Sequence, residues 1–180
     1  MLNVKIKKTV ALAIPTMKSK DWNFIQSLRK QYDTNGYTLL EPHFTIFSRN
    51  TLFSAKIHQH LKQILKNQKK FTCNLRSALF MPPLHEHTSW YTFLIPDEGF
   101  SKFCHLHHRI DSAMAKNILT KKFPFIPHMT VGSFNKKSSC IKLVNHINQQ
   151  NINLLVHIKK IHLIEITNNV AQIAEEIQLG

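Results

Sequence analysis

The chain has 180 residues, of which 43% are hydrophobic and 19% are charged. That length and apolar content suit one domain, residues 1–180, with a self-sufficient core, and they exclude a wholly disordered chain. No apolar run approaches the roughly 18 residues that a transmembrane helix needs. The apolar stretch after the basic amino terminus is too short for a secretory signal. We therefore expect a cytoplasmic protein that does not bind membranes.

The charge balance indicates anionic partners. Lys and Arg number 24 against 10 Asp and Glu, a formal net charge of +14. This excess is compatible with RNA, DNA, an anionic substrate or an acidic surface. The three cysteines are scattered and form no CxxC pair. Their pattern argues against a disulfide framework and fits a reducing compartment.

The first half of the chain alternates strand and helix patterns. In chain order, the sequence predicts a strand at 4–14, a helix at 22–32 with Asp21 as its N-cap, a turn at Asn35-Gly36, a strand at 43–48, a helix at 57–65 capped by Ser54, and a strand at 71–79. Pro82-Pro83 and the polar residues that follow then interrupt the pattern.

The same order returns in the second half. The sequence predicts a strand at 90–95, a helix at 100–114, a strand at 128–133, a helix around 140–147, strands within 152–167 and a last strand at 170–179. The repetition predicts two related lobes within the single domain, lobe one at about 1–81 and lobe two at about 89–180.

One fragment of the repeat also recurs as a similar amino-acid sequence. The first half contains Pro-His-Phe-Thr-Ile-Phe at 42–47, and the second contains Pro-His-Met-Thr-Val-Gly at 127–132. Alternate side chains of a strand point to opposite faces, so His43 and Thr45 share one face. His128 and Thr130 share a face for the same reason, while the apolar residues between them can anchor each strand to the core.

If the two lobes face each other, both imidazoles and both hydroxyls meet in one cleft. That set suits in-line displacement at a phosphodiester. One neutral imidazole accepts a proton from the attacking oxygen, and one protonated imidazole donates a proton to the leaving oxygen. The threonine hydroxyls donate to the non-bridging oxygens. No metal is required, and the rate should follow a bell between about pH 5 and 8.

These motifs carry a resemblance to a known family. Both motifs follow one four-residue pattern, in which a histidine is followed by any residue, then Ser or Thr, then an apolar residue. The two copies are His43-Phe-Thr-Ile and His128-Met-Thr-Val. The pair resembles the signature of the 2H phosphoesterase superfamily, which includes 2′-5′ RNA ligase-like proteins and cyclic phosphodiesterases. The flanks of the second copy, beginning Phe125-Ile-Pro, are also similar, and the resemblance covers essentially the whole chain.

The resemblance implies an α+β fold of two pseudo-symmetric lobes of antiparallel sheet, with helices outside and a central cleft. It implies an enzyme without cofactor or metal that opens RNA 2′,3′-cyclic phosphate ends, or cleaves or joins 2′-5′ linkages. Its partners would be RNA termini or small nucleotides with a 2′-linked phosphate, and we expect a monomer. The catalytic set carried over is His43, Thr45, His128 and Thr130, with His128 as the base and His43 as the acid.

Three further residues are candidates for substrate binding. Ligase-like members often carry a basic residue just after the second motif, where this chain has Ser133 and Phe134. Arg49 is six positions after His43 and falls on the same strand face if the strand persists, so it could supply a phosphate contact. Tyr91 and Phe134 are aromatic candidates for stacking a base.

The sequence leaves other functions open. The substrate could be a 2′-5′ oligonucleotide or a cyclic nucleotide signal, or the protein could be a basic RNA-binding module without turnover. A His-rich metal-binding protein is a third alternative, from the histidines at positions 85, 87, 105, 107 and 108. The i, i+4 spacing typical of helical zinc ligands is absent from them.

Lysine runs at 66–70, 116–122 and 136–137 could steer RNA toward the second motif.

Overall fold

The computed structural model describes residues 7–51, 54–83, 89–114, 125–168 and 170–180. Its elements in chain order are β1 (Lys7–Ala13), α1 (Ser19–Tyr32), α2 (Thr34–Leu39), β2 (Phe44–Thr51), α3 (Ser54–Leu65), β3 (Phe71–Met81), β4 (Trp90–Pro96), α4 (Phe100–Met114), β5 (Met129–Phe134), α5 (Lys137–Gln149), β6 (Leu154–Ile158), β7 (Lys160–Thr167) and β8 (Val170–Gln178).

The strands form two four-stranded antiparallel sheets. Sheet A has the strand order β2-β1-β7-β8, and sheet B has the order β5-β4-β3-β6. The strands that carry the two His-x-Thr motifs, β2 and β5, lie at corresponding edges of the two sheets. This arrangement confirms the predicted α+β fold of two related antiparallel sheets with helices.

The two sheets do not coincide with the two halves of the chain. Strand β3 of the first half pairs with β4 and β6 in sheet B, and β7 and β8 of the second half complete sheet A beside β1. The division into lobes at about 1–81 and 89–180 stays a prediction from the repeat. The sheets exchange strands across it, since β3 and β4 are consecutive strands, and consecutive strands often pair with each other.

The helices cover one face of each sheet and leave the motif side chains on the other. Helices α3 and α4 pack on sheet A, and α1 and α5 pack on sheet B. Phe44 and Ile46 of β2, together with Met129 and Val131 of β5, are fully buried in the resulting core. Because side chains alternate along a strand, burial of these four apolar groups directs the motif His and Thr side chains away from the helices.

Two local predictions in the first half are wrong. Helix α1 begins at Ser19 after an N-cap at Lys18, which makes no side-chain cap hydrogen bond, so Asp21 lies in the first turn instead of at the cap. The predicted turn at Asn35-Gly36 lies inside α2. Asn-Gly favours a turn, but here the helical conformation is stabilised by a side chain of the preceding helix, since Nη2 of Arg29 donates to the Gly36 carbonyl at 2.7 Å.

Some predictions fall outside the described residues: the first part of the strand at 4–14, the histidines at 85 and 87, and the lysine run at 116–122. Within the described ranges, no helix is both long and apolar enough to cross a membrane. Cys73, Cys104 and Cys140 are all free thiols.

Candidate active site

The first His-x-Thr strand contains a bulge directly after its threonine. Thr45 pairs with Leu12 of β1, and Phe47 pairs with the preceding residue, Ala11. Ile46 therefore has no partner in the ladder. A bulge of this kind places two consecutive residues opposite one and changes which face the later side chains take.

The second His-x-Thr strand contains the same bulge at the same position. Thr130 pairs with Phe93 of β4, and Gly132 pairs with Thr92, which leaves Val131 unpaired. The two motif strands are thus equivalent in sequence, in edge position and in irregularity. The repeat predicted from the letters extends to the backbone hydrogen bonding.

The bulges turn both residues six positions beyond the histidines toward the helix face. Arg49 lies there, and its Nη1 donates to the carbonyl oxygen of Met114 at the end of α4, at 3.2 Å. Phe134 lies at the equivalent place, with its ring centroid 5.8 Å from that of Tyr32 at the end of α1. The expectation that Arg49 shares the face of His43 is wrong, because simple alternation does not pass through a bulge. Phe134 is turned away from the histidine face in the same manner.

Each motif histidine is oriented by a hydrogen bond from its ring to the carbonyl group two residues earlier. Nδ1 of His43 lies 2.7 Å from the carbonyl oxygen of Glu41, and Nδ1 of His128 lies 2.7 Å from that of Ile126. A carbonyl oxygen only accepts, so Nδ1 carries the hydrogen in each ring. Nε2 is then left to exchange a proton with another molecule. Thr45 and Thr130 are partly exposed beside these rings.

The environment lowers the pKa of both histidines. Burial of the ring is the largest cause at His43, where the pKa falls to about 4 although the hydrogen bond to Glu41 opposes the shift. The charges of Arg29 and His128 lower it further. Burial also lowers the pKa of His128, against the hydrogen bond to Ile126. A charge on His128 therefore disfavours a proton on His43.

Arg29 distinguishes the two otherwise equivalent histidines. Its side chain is only 2% exposed. Nη2 donates to the carbonyl oxygens of Gly36 and Leu40, both at 2.7 Å. The positive charge is therefore fixed at the base of the segment that leads to His43, and it contributes to the low pKa of that ring. No motif predicted this role, because a single arginine in a helix carries no signal for it.

An aromatic row supports His128. The imidazole stacks on Phe93 with ring centroids 3.8 Å apart, and Phe93 stacks on Tyr91 at 6.0 Å. Tyr91 and Phe93 are two positions apart on β4, so they share the face of Thr130, with which Phe93 pairs. The structure therefore places Tyr91 on the histidine face, as a base-stacking role requires. Phe93 was not predicted, although its alternation with Tyr91 was visible in the sequence.

One histidine of the His-x-His-His run lies behind the first bulge. Nδ1 of His107 donates to the carbonyl oxygen of Ile46 at 2.6 Å, and its ring stacks on Phe125 with centroids 4.0 Å apart. His107 therefore supports the backbone of β2, while His105 and His108 are exposed. The part of the chain that the structure describes holds no group of three or more His, Cys, Asp or Glu side chains arranged to bind a metal ion.

Comparisons with known proteins identify a family and a shared fold. The family model described as the 2′-5′ RNA ligase superfamily matches residues 17–169. Solved structures with a similar fold include apo LigT from E. coli (TM-score 0.63, 14% identity, covering 97% of this chain and 98% of that one). They also include TT0787 from Thermus thermophilus (TM-score 0.60, 13% identity, 96% and 97% covered) and Usb1 from Kluyveromyces marxianus (TM-score 0.57, 9% identity, 96% and 97% covered).

No curated protein matches the sequence, so membership rests on the family model. The model spans most of the chain and includes both His-x-Thr motifs. The chain therefore belongs to the 2′-5′ RNA ligase superfamily, the group of 2H phosphoesterases that its paired motifs resemble.

Proposed function

We propose that the protein is a metal-independent phosphodiesterase that hydrolyses the 2′,3′-cyclic phosphate at the end of an RNA chain. The observation that carries the proposal is the equivalence of His43 and His128. Each ring is fixed by the same Nδ1 bond to a carbonyl two residues earlier, and each keeps Nε2 for proton transfer beside a threonine. Two such imidazoles supply the acid and the base that the displacement needs.

The proposed step is a single in-line displacement. Nε2 of His43 accepts a proton from water as the water oxygen forms a bond to phosphorus. The bond from phosphorus to one ribose oxygen breaks on the opposite side, and protonated Nε2 of His128 donates its proton to that oxygen. Thr45 and Thr130 donate hydrogen bonds to the non-bridging oxygens, where negative charge increases. Afterwards His43 is protonated and His128 is neutral, and exchange with solvent restores the starting state.

This assignment reverses the one made from the sequence, in which His128 was the base. A general base must be neutral, and the buried charge of Arg29 disfavours a proton on His43. His128 has no such contribution from Arg29, so it is the better holder of the proton that the leaving oxygen receives.

The partners under this proposal are RNA ends, in keeping with the family name and with the formal net charge of +14. The solved neighbour LigT has also been obtained in complex with 3′-AMP. The three free thiols support a cytoplasmic location for the enzyme.

Hydrolysis of a short RNA ending in a 2′,3′-cyclic phosphate, measured with EDTA present, tests the function. The wild type should turn over, and His43→Ala and His128→Ala should each lose about 10²–10⁴-fold in rate. His60→Ala, at an exposed position of α3, is the matched control and should keep full activity. Unaltered rates in both motif variants, or loss of wild-type activity in EDTA, would contradict the mechanism.

A second candidate substrate is a 2′-5′-linked oligonucleotide, which the name of the family model favours. The same two histidines would act, because the reacting group is again a phosphodiester. Turnover of 2′-5′ dinucleotides by the wild type, with no opening of the cyclic phosphate, would select this substrate. If neither substrate turns over and the histidine variants only weaken RNA binding, the protein is a binding module.

A further inference from the structure

A cavity of about 540 Å³ lies on sheet A beside the candidate active site. Its wall includes Lys160 and His162 of β7, Glu176 of β8, Trp22 of α1 and Glu41. This volume is typical of a pocket for a small organic molecule, and a concave site with a few polar groups is the usual form of a ligand site.

The strand register places this cavity on the same face of sheet A as the first motif. Thr45 pairs with Leu12, Leu12 pairs with His162, and His162 pairs with Glu176. Directly paired residues point to one face, so these four side chains form a row across the sheet. With neighbouring strands about 4.8 Å apart, His162 lies roughly 10 Å from Thr45. A nucleoside attached to a phosphate at Thr45 can span that distance.

His162 lies in the wall of the cavity without hydrogen bonds. The residue is only 4% exposed, and neither ring nitrogen has a hydrogen-bond partner among the residues that the structure describes. Nδ1 lies 3.4 Å from Oε1 of Glu176, without hydrogen-bond geometry. Buried polar groups are normally hydrogen-bonded, so the two ring nitrogens of His162 can bond a ligand that reaches them.

The groups around His162 can rearrange to admit that ligand. Oε2 of Glu176 binds Nζ of Lys160 at 2.7 Å, and both side chains of this pair are at least one-third exposed. An exposed ion pair is weak and opens readily. Opening it would give a bound molecule access to the carboxylate of Glu176 and to the ring of His162.

The lining chemistry suits a nucleobase that carries an amino group. The carboxylates of Glu41 and Glu176 can only accept hydrogen bonds, and a neutral His162 offers one donor and one acceptor. Two carboxylates against one lysine do not favour a second phosphate in this cavity. The indole of Trp22 provides an aromatic surface for stacking. Adenine, guanine and cytosine present exocyclic amino donors to such acceptors, and uracil does not.

Glu41 connects this cavity to the catalytic group. Glu41 lines the cavity, and its carbonyl oxygen accepts the Nδ1 hydrogen bond of His43 at 2.7 Å. A molecule bound in the cavity therefore contacts the residue that orients the proposed base.

We propose that the cavity beside His43 binds the base of the nucleotide whose phosphate reacts, and that Glu41, His162 and Glu176 favour amino-bearing bases over uracil. The inference rests on the proposed function for the identity of the reacting nucleotide. It adds a specificity site that the His-x-Thr motifs do not contain.

Turnover of the four nucleoside 2′,3′-cyclic phosphates tests the specificity. We expect kcat/KM for the uridine compound to be at least about tenfold below that for the best of the other three. Glu176→Gln replaces one acceptor-only group by an amide that can also donate, so it should narrow the difference to about threefold or less. Equal kcat/KM for all four compounds, or an unchanged ratio in Glu176→Gln, would overturn the inference while leaving the phosphodiesterase function in place.

Fluorescence tests binding independently of catalysis, because the chain has two tryptophans. Adenosine, which has no phosphate, should quench the emission of Trp90→Phe, where Trp22 remains. It should leave the emission of Trp22→Phe unchanged, although that variant keeps Trp90. Quenching of Trp22 without any turnover of cyclic phosphates would refute the proposed function and retain the pocket. Turnover without quenching of Trp22 would refute the pocket alone.

Discussion

Nη2 of Arg29 donates to the carbonyl oxygen of Leu40 at 2.7 Å. Because Leu40 is three residues before His43, this bond holds the buried positive charge of Arg29 at the segment that leads to His43. The same nitrogen also holds the Gly36 carbonyl at 2.7 Å. Arg29 therefore positions the segment that precedes the first motif and lowers the pKa of its histidine. The two motifs are equivalent in backbone structure, and this charge makes them chemically different.

Arg29→Met should remove the charge and both carbonyl contacts. We expect the pKa of His43 to rise, and the acid limb of kcat/KM to move to higher pH with it, because a repelling charge is lost. The two carbonyl groups lose their partner, so the free energy of unfolding should fall by about 2–4 kcal/mol. A pH titration of the His43 ring by NMR measures the first effect, and urea denaturation measures the second.

Two variants control that measurement. Arg29→Lys retains the charge, so it should keep the acid limb close to that of the wild type even if stability falls. Arg109→Met removes an exposed arginine that also makes two hydrogen bonds, to Gln68 and to the Ile64 carbonyl. It should leave the His43 titration unchanged. An equal titration of His43 in wild type and Arg29→Met would refute the electrostatic role.

The pH dependence of kcat/KM should have its optimum on the acid side of neutrality. His43 acts as the base and must be neutral, so the rate should fall as the pH drops through about 4. His128 acts as the acid and must be protonated, and its pKa lies below the usual 6.5. The rate should therefore already decline at neutral pH. This bell-shaped profile of kcat/KM lies at lower pH than the profile expected from histidines with their usual pKa. An optimum at or above pH 7.5 would contradict the assignment of His43 as the base and His128 as the acid.

Burial of His43 should also make the fold less stable in acid. The pKa of His43 is about 4 in the folded chain against a usual value of 6.5, so between these values the unfolded chain binds more protons. The free energy of unfolding is then fully retained above pH 6.5 and falls as the pH drops toward 4, by at most about 3.5 kcal/mol from this ring. His43→Gln cannot charge and should show a flatter dependence in denaturation at pH 7 and pH 4.5. His60→Gln, at an exposed site, should follow the wild type.

Tyr91 and Phe134 should have separable effects. Tyr91 lies on the histidine face, so Tyr91→Ala should raise KM for an RNA substrate about fivefold or more through lost base stacking, and Tyr91→Phe should retain most of the affinity. Phe134 packs against Tyr32 on the other face. Phe134→Ala should leave KM unchanged and lower the free energy of unfolding by about 1–3 kcal/mol. A raised KM in Phe134→Ala alone would show that the faces are assigned incorrectly.

The element types and the paired motifs follow from the order of the amino acids alone. Periodicity is a local property, so the apolar spacing located most of the strands and the main helices, including α4 at Phe100–Met114. It did not separate β6 from β7 within the strand-rich range 152–167. The Pro-His-x-Thr motif occurs twice in the amino-acid sequence, so it identified His43 and His128 without any structural information. The same local reasoning missed the short helix α2, whose carbonyls are held by a side chain from α1.

How these elements combine, and what the motif histidines contact, depends on the packing of the folded chain. The unpaired positions Ile46 and Val131 depend on the neighbouring strands, and they turned Arg49 and Phe134 to the other face. Arg29 acts through carbonyl groups seven and eleven residues further along, outside its own helix. The row that contains His162 joins strands that are far apart in the chain. Burial, charge proximity and strand register arise when distant segments pack together, and for that reason the difference between two sequence-equivalent histidines became visible only in the folded protein.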